Sequence, residues 1–313
     1  LFVLFCILSL SKPDKIEPER APRSHRSQKN QKENNMLDFK LNKDRCIKCG
    51  KCVADCPPMC IVMKKDSFPA ISDEAKCIRC QHCLAVCPTG AISILGADPD
   101  DSMDLAYELP TAHSMETLIK GRRSVRSFKK QSLEGATVRK LLETAWHAPT
   151  ATNAQGVLFT ATMNADVTEA LGREIYARLG SLLPELDPGK DGLAHKYMRM
   201  AHGAYTKHGV DVILRGAPHI LVASAPKTVP FPQGDCLIAL TTFELLAQTI
   251  GVGTLWDGML NWCLVDFFPD LAAKLGVPED HAIGYSMIFG RPAVQYPRTV
   301  QRIPEKMNLV ESF

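Results

Sequence analysis

Eight cysteines in two short runs carry the most specific chemistry in this 313-residue chain. Cys46-Ile-Lys-Cys-Gly-Lys-Cys-Val-Ala-Asp-Cys-Pro57 recurs as Cys77-Ile-Arg-Cys-Gln-His-Cys-Leu-Ala-Val-Cys-Pro88, with seven of twelve positions identical. Each run reads Cys-x2-Cys-x2-Cys-x3-Cys-Pro, the spacing of cubane iron–sulfur ligation. Three thiolates on one tight loop can converge on one cubane while backbone N–H groups wrap the sulfurs, and the fourth points away to complete the other. The spacing therefore assigns one [4Fe–4S] cluster to Cys46, Cys49, Cys52 and Cys87, and a second to Cys77, Cys80, Cys83 and Cys56. Pro57 and Pro88 end the loops, where a proline cannot compete for a backbone hydrogen bond. Structural zinc is the competing reading, but zinc prefers two Cys-x2-Cys pairs with a longer spacer. Cys60 reads as a small apolar core residue.

A disulfide framework is the other use for twelve cysteines, and it suits short secreted chains. Here nine of the twelve lie between Cys46 and Cys87, leaving Cys6, Cys236 and Cys263 elsewhere. Clustering in a long chain favours metal and a reducing compartment, hence a cytoplasmic protein. The formal net charge of +3 asks for no nucleic-acid partner. Leu1–Leu10 is apolar but falls short of the roughly 20 residues that span a bilayer. No basic residue precedes it, as a secretory signal would need, so no membrane partner is expected. Ser11–Asn35 is polar and carries three prolines, so it reads as disordered. Met36 stands before the first structured-looking segment, so the natural start is expected there and residues 1–35 read as an extension without a fold, with a degenerate membrane anchor as the alternative.

The elements that must hold this chemistry divide the chain. Residues 36–97 hold the repeat, which implies two copies of one supersecondary unit. Residues 98–114, opening on an acidic, turn-rich stretch, read as a linker. Residues 115–313 form a further domain. Val138, Leu141, Leu142, Ala145 and Trp146 fall at helical spacing, with a stop near Ala148-Pro149. Residues 156–163 are β-rich, and 219–224 and 282–289 read as strands. Residues 237–250 are apolar on most faces, as in a helix buried in a core or at a subunit interface. The mixture lacks a regular βαβ rhythm, so the fold class is α+β.

This second part has neither a Gly-x-Gly-x-x-Gly fingerprint nor a Walker loop. It does have Gly121-Arg-Arg-Ser-Val-Arg-Ser-Phe128, whose guanidinium forks match phosphate oxygens. Ala148-Pro-Thr-Ala-Thr-Asn-Ala-Gln155 follows a helix, Gly251-Val-Gly-Thr-Leu-Trp-Asp-Gly258 follows the long apolar helix, and Phe289-Gly-Arg-Pro292 ends the last strand. In this order the features resemble the nitroreductase family of FMN enzymes, from about Met115 to Arg302. The whole chain resembles the ferredoxin–nitroreductase fusions of anaerobic bacteria and archaea.

The resemblance implies a ferredoxin-like 2[4Fe–4S] domain followed by an FMN domain with a mixed, mainly antiparallel sheet. It places Arg122, Arg123, Ser124 and Arg126 on the FMN phosphate and ribityl chain. Pro149, Thr150, Ala151 and Asn153 would lie against the flavin in the partner subunit's site of a homodimer. Thr254, Leu255, Trp256 and Gly258 would run along the ring, and Arg291 or Arg298 would close the phosphate pocket. His195, Tyr197, His202, Tyr205 and His208 lie where the family inserts a lid; one could donate a proton, and the plainer reading is a surface helix. Cys236 and Cys263 read as buried thiols. The implied activity passes electrons from NAD(P)H or reduced ferredoxin through the clusters and FMN to a small-molecule nitro, quinone or enone acceptor. An electron-transfer or redox-sensing module acting on a partner protein is the alternative.

Overall fold

The computed structural model describes residues 37–190, 192–303 and 306–313. The extension expected over residues 1–35 lies outside them. The first elements are β1 (Lys40–Leu41), α1 (Lys51–Ala54), β2 (Ile61–Val62), β3 (Ala70–Ile71), α2 (His82–Ala85) and β4 (Ile92–Ser93). β1 pairs with β4 and β2 with β3, both antiparallel. α1 and α2 are equivalent single turns that carry the third cysteine of each run, Cys52 and Cys83. Each is entered through a left-handed residue, Gly50 at φ 74° and Gln81 at φ 59°. Glycine takes that conformation freely, whereas Gln81 takes it against a steric penalty. The buried core here is small and rich in sulfur, with Cys52, Cys60 and Cys83 among Ile61, Leu84, Ile92 and Ile94. A core of this size ordinarily needs a metal or a cross-link to hold it.

The stretch 98–114, expected as a linker, contains a 3-10 turn at Pro99–Asp101, the short helix α3 (Leu105–Glu108) and the start of α4 (Ala112–Gly121). The local cause is capping: Asp98, Asp104 and Thr111 accept hydrogen bonds from the N–H groups of Asp100, Ala106 and Ser114.

The rest of the chain is a three-layer structure. In order come α5 (Gly135–Ala145), β5 (Leu158–Ala161), α6 (Ala165–Leu182), α7 (Leu193–His208), β6 (His219–Pro226), α8 (Pro232–Thr249), β7 (Gly253–Trp256), α9 (Gly258–Trp262), α10 (Pro269–Lys274) and β8 (His281–Gly290). The strands form one antiparallel sheet in the order β5-β6-β8-β7. Ile220, Val222 and Ile288 face the α6, α7, α9 and α10 side. Leu221, Ala223, Ala225, Met287 and Phe289 face α5 and α8. Burial on both faces explains why β6 is apolar without alternating. The helix and strands expected at 138–146, 219–224 and 282–289 coincide with α5, β6 and β8.

α8 lies against β6, β8 and α5, and the approach is close. A Cβ on Gly284 of β8 would stand 2.2 Å from the Cβ of Cys236. His219 ties the layers together: Nδ1 donates to the Thr162 carbonyl at 2.8 Å, and Nε2 accepts the Leu133 N–H at 2.8 Å. Burial lowers its pKa, which keeps the ring neutral. Phe243 of α8 is fully buried, edge-on to Phe289 with centroids 5.2 Å apart. Phe243→Ala should lower unfolding free energy by about 3–5 kcal/mol, read from urea denaturation. A loss under about 1 kcal/mol would mean that this layer is not close-packed.

Candidate functional site

The eight cysteines of the two runs surround two separate cavities. Cys46, Cys49, Cys52 and Cys87 line the first, of about 320 Å³ counting its solvent-open part, together with Pro69, Thr89 and Ile92. Cys56, Cys77, Cys80 and Cys83 line the second, of about 330 Å³, together with Ile61, Ile71 and Ile94. Each cavity thus draws three sulfurs from one run and the fourth from the other. Among the described residues no group of three or more His, Cys, Asp or Glu side chains is spaced to hold a single metal ion. Backbone amides already face the sulfurs: Ala91 N–H donates to Cys87 Sγ at 3.2 Å and Arg79 N–H to Cys77 Sγ at 3.4 Å. Burial pushes the Cys87 thiol up, but hydrogen bonds from Ala91 and Thr89 outweigh it and hold the group below its usual range. Burial pushes Cys83 up to about 11. Cys60 is buried, lines the second cavity and sits 3.5 Å from Cys56 Sγ.

In the C-terminal part, three stretches far apart in sequence meet. Ser124 makes a parallel bridge with Thr254, and Val125 N–H donates to the Thr254 carbonyl at 2.9 Å. Phe128 bridges to Pro292, and Lys129 N–H donates to the Arg291 carbonyl. The segment from Arg122 to Lys129 therefore runs beside β7 and the end of β8. Gly253 lets them approach, since a Cβ there would lie 2.5 Å from Val125 and 2.9 Å from Pro292. Glu244 of α8, only 4% exposed, gathers the group. It accepts from Arg122 Nη1 at 3.0 Å, Thr254 Oγ1 at 3.0 Å and Trp256 Nε1 at 3.1 Å.

The loop after α5 is held from another side of the same helix. Asp235 of α8 accepts the Ala151 N–H at 2.9 Å. Thr152, Asn153 and Gln155 all have positive φ, at 54°, 57° and 50°. The Thr150 side chain accepts the Gln155 N–H at 2.9 Å, and Asn153 N–H donates to the Thr150 carbonyl. A β-branched residue in this region is strained, and the surrounding bonds pin it there. Asp235 and Glu244 are nine residues apart, which is about 13 Å along the axis and about half a turn around it. α8 thus holds Ala151 on one side and the group around Arg122 on the opposite side.

The sequence model of the nitroreductase family matches residues 119–291. The chain belongs to the nitroreductase family. A 4Fe-4S dicluster domain model matches residues 23–92. A 4-nitrobenzoate reductase from Nocardioides sp. (strain LMS-CY) is 32% identical over 64% of this chain and 89% of its own length. Two solved nitroreductases with bound FMN share the fold. One, from Bacteroides fragilis, has 23% identity and a TM-score of 0.50 over 63% of this chain and 98% of its own. The other, from Desulfitobacterium hafniense, has 22% identity and a TM-score of 0.51 over 64% of this chain and 100% of its own.

Within the nitroreductase-family part, the residues singled out from sequence are placed unevenly. Arg122, Ser124, Thr254 and Trp256 come together around Glu244 and β7. Arg123 is half-buried beside them, and Arg126 is exposed with Nη1 donating to the Ser124 carbonyl at 3.3 Å. Leu255 is buried in the α6-side core, and Gly258 opens α9. Arg291 turns its guanidinium to the Ile250 carbonyl at 2.7 Å, while Arg298 is exposed in the C-terminal tail. Pro149, Thr150, Ala151 and Asn153 stay together in the loop on the far side of α8. Of the residues expected in a lid, which lie on α7, Tyr205 stacks on Tyr176 at 3.9 Å, Tyr197 packs on Trp262 and His195 on Phe267. A wide cleft between α6 and the turn at 209–217, about 1080 Å³ with its open space, is lined by none of the cofactor residues singled out from sequence.

Sequence reasoning passed over Glu244, Asp235 and Asp257. Asp257 is 4% exposed and caps α9, with Oδ1 accepting from Met259 and Leu260 N–H at 3.0 and 2.9 Å. Its Oδ2 has no hydrogen-bond partner among the described residues. Burial pushes its pKa up to about 7, above the ordinary 3.8, against the pull of the α9 amides and Arg215. The folded state therefore holds a proton that the unfolded chain releases, so this group's contribution to stability falls as pH rises from 3.8 to about 7. Denaturant midpoints of wild type and Asp257→Asn across that range should show wild type losing stability relative to the variant, then levelling off. A pH-independent difference would place the Asp257 carboxyl in water.

Proposed function

We propose that this chain is a flavin-dependent oxidoreductase that draws electrons through two iron–sulfur clusters and reduces a small organic acceptor. The reading is carried by one juxtaposition: eight cysteines ring two cavities in a chain whose arginine-rich segment lies along β7. Residues 36–97 would be the cluster-bearing domain, 98–114 a connector with short helices, and 115–313 the flavin domain. The donor sets fit the cofactors. Four thiolates around a cavity suit a cubane better than a single ion. Arg123, Ser124 and Arg126 offer guanidinium and hydroxyl donors to a phosphate. When bound, FMN supplies the exchange between single electrons and electron pairs, and the clusters supply the single electrons.

The chain's own residues do the rest. Glu244 neutralises one edge of Arg122 and fixes its plane, leaving Arg123 and Arg126 as the cations open to an anionic ligand. The backbone of Thr254–Gly258, held by Glu244 and by the Asp257 cap, would give a bound flavin ring a rigid edge to lie against. Arg291 holds the end of α8 through the Ile250 carbonyl, and Arg291 or Arg298 would close the phosphate pocket. Because α8 separates the loop at 149–153 from the Arg122 group, one chain presents two half-sites that face apart. We therefore place each flavin between two copies of the chain, with Pro149, Thr150, Ala151 and Asn153 serving the partner subunit's site. A nitro group is the first acceptor to test, in line with the 4-nitrobenzoate reductase relative. The cysteine pattern fits a reducing, cytoplasmic setting, and no described helix is long and apolar enough to cross a membrane.

Purified anaerobically, the protein should hold FMN and two clusters and reduce nitroaromatic or quinone compounds. FMN should bind more tightly than riboflavin. Arg123→Ala/Arg126→Ala should weaken FMN by roughly 10–100-fold in fluorescence titration while leaving riboflavin nearly unchanged. Equal losses for both flavins would mean that these arginines do not meet the phosphate. A loaded protein that turns over no small acceptor, yet passes electrons to another protein, would replace the enzyme reading with that of a carrier.

A further inference from the structure

The two cysteine runs are near copies, so a difference in their surroundings is informative. Ile47 corresponds to Ile78 and Cys49 to Cys80. Ile47 is 63% exposed and Cys49 is exposed. Ile78 and Cys80 are both partly covered. Part of that cover comes from the flavin domain: Asn153 Nδ2 donates to the Ile78 carbonyl at 2.8 Å. Ile78 lies between two cysteines of the second run and lines the second cavity. Asn153 itself stands in the strained loop that Asp235 anchors through Ala151. The chain therefore spends a pinned, strained loop on gripping one of two otherwise equivalent cysteine loops.

We propose that the two runs have ordered roles. The open face at Ile47 and Cys49 receives electrons from a one-electron protein carrier, and the run at Cys77–Cys83, gripped by Asn153, delivers them to the flavin domain. This rests on the reading above, that the cysteines hold two [4Fe–4S] clusters and the C-terminal part a flavin. A cubane takes one electron at a time, so a hydride donor has no use for the open face. Two carriers each lose one electron there; the two electrons, with two protons from water, reduce one organic acceptor by an electron pair. Lys43, Lys48 and Lys51 are exposed around the open loop, with Lys48 Nζ 4.6 Å from the centre of the Phe68 ring. Their charge suits a carrier with an acidic face.

Ile47→Glu and Ile78→Glu test the order in the loaded protein, since each puts the same carboxylate beside the first two cysteines of its run. Iron and flavin content come first, for wild type and both variants. Stopped-flow mixing with a reduced acidic ferredoxin then follows cluster and flavin absorbance separately. Ile47→Glu should slow cluster reduction on the order of tenfold and spare the cluster-to-flavin step. Ile78→Glu should do the reverse, on the order of tenfold or more. Hydrogen exchange of the loaded wild type needs neither variant: amides of 77–83 should exchange more slowly than those of 46–52, and Asn153→Ala should shrink the gap. Equal effects of both variants on both steps, or equal exchange in the two runs, overturn the proposal and leave the reading beneath it intact. A wild type that binds no flavin or no iron overturns that reading instead.

Discussion

Glu244 is a buried carboxylate on a helix packed against the sheet, and a buried charge must be paired or its burial destabilises the fold. Its two oxygens are paired by a guanidinium, a hydroxyl and an indole N–H that come from before α5 and from β7. Placing those three donors places the basic segment along the edge strand. On the other side of α8, Asp235 uses one oxygen on the Ala151 N–H while the other has no partner among the described residues. The helix therefore works as a ruler with two polar marks. The distance and angle between the marks follow from the α-helical repeat. The separation of the Ala151 loop from the Arg122 group is thus a matter of helix geometry rather than of loop conformation.

Much of the framework was legible in the sequence because its cause is local. Apolar spacing at 138–146 placed α5, and the apolar runs at 219–224 and 282–289 placed β6 and β8. The cysteines stood out for the same reason, since each run gathers four of them into one short stretch. The capped turns at 98–108 were hidden because acidic residues read as linker and as N-caps alike. Glu244 and Asp235 were hidden for a tertiary reason. In a helix that is apolar on most faces, two carboxylates look like incidental surface residues until their partners arrive from elsewhere. The contact of Asn153 with Ile78 links positions 75 residues apart, and nothing in either motif announces it.

The small N-terminal part and the larger sheet domain meet where both carry strained backbone. Arg79 and Gln81 on one side and Thr152, Asn153 and Gln155 on the other all hold positive φ. Such strain persists where packing and hydrogen bonds over-determine it, which is also where a fixed distance between two redox groups would be needed. On the proposed function, stability and electron flow would draw on the same contacts, since the loops that complete the small sulfur-rich core are also the ones that Asn153 holds.

The central claim is that α8 turns its two half-sites in opposite directions, so that a flavin site is complete only between two chains. Mixing two variants after dissociation tests it most directly: one altered at Arg123 and Arg126, the other altered at Pro149 and Thr150, with FMN held at a concentration that loads wild type but neither variant alone. In a mixed dimer one of the two sites would receive both intact halves. The account predicts that bound flavin reappears on mixing, at up to one site per mixed dimer. Flavin binding by a monomer, or no recovery in mixed dimers whose formation is verified by mass, would contradict it.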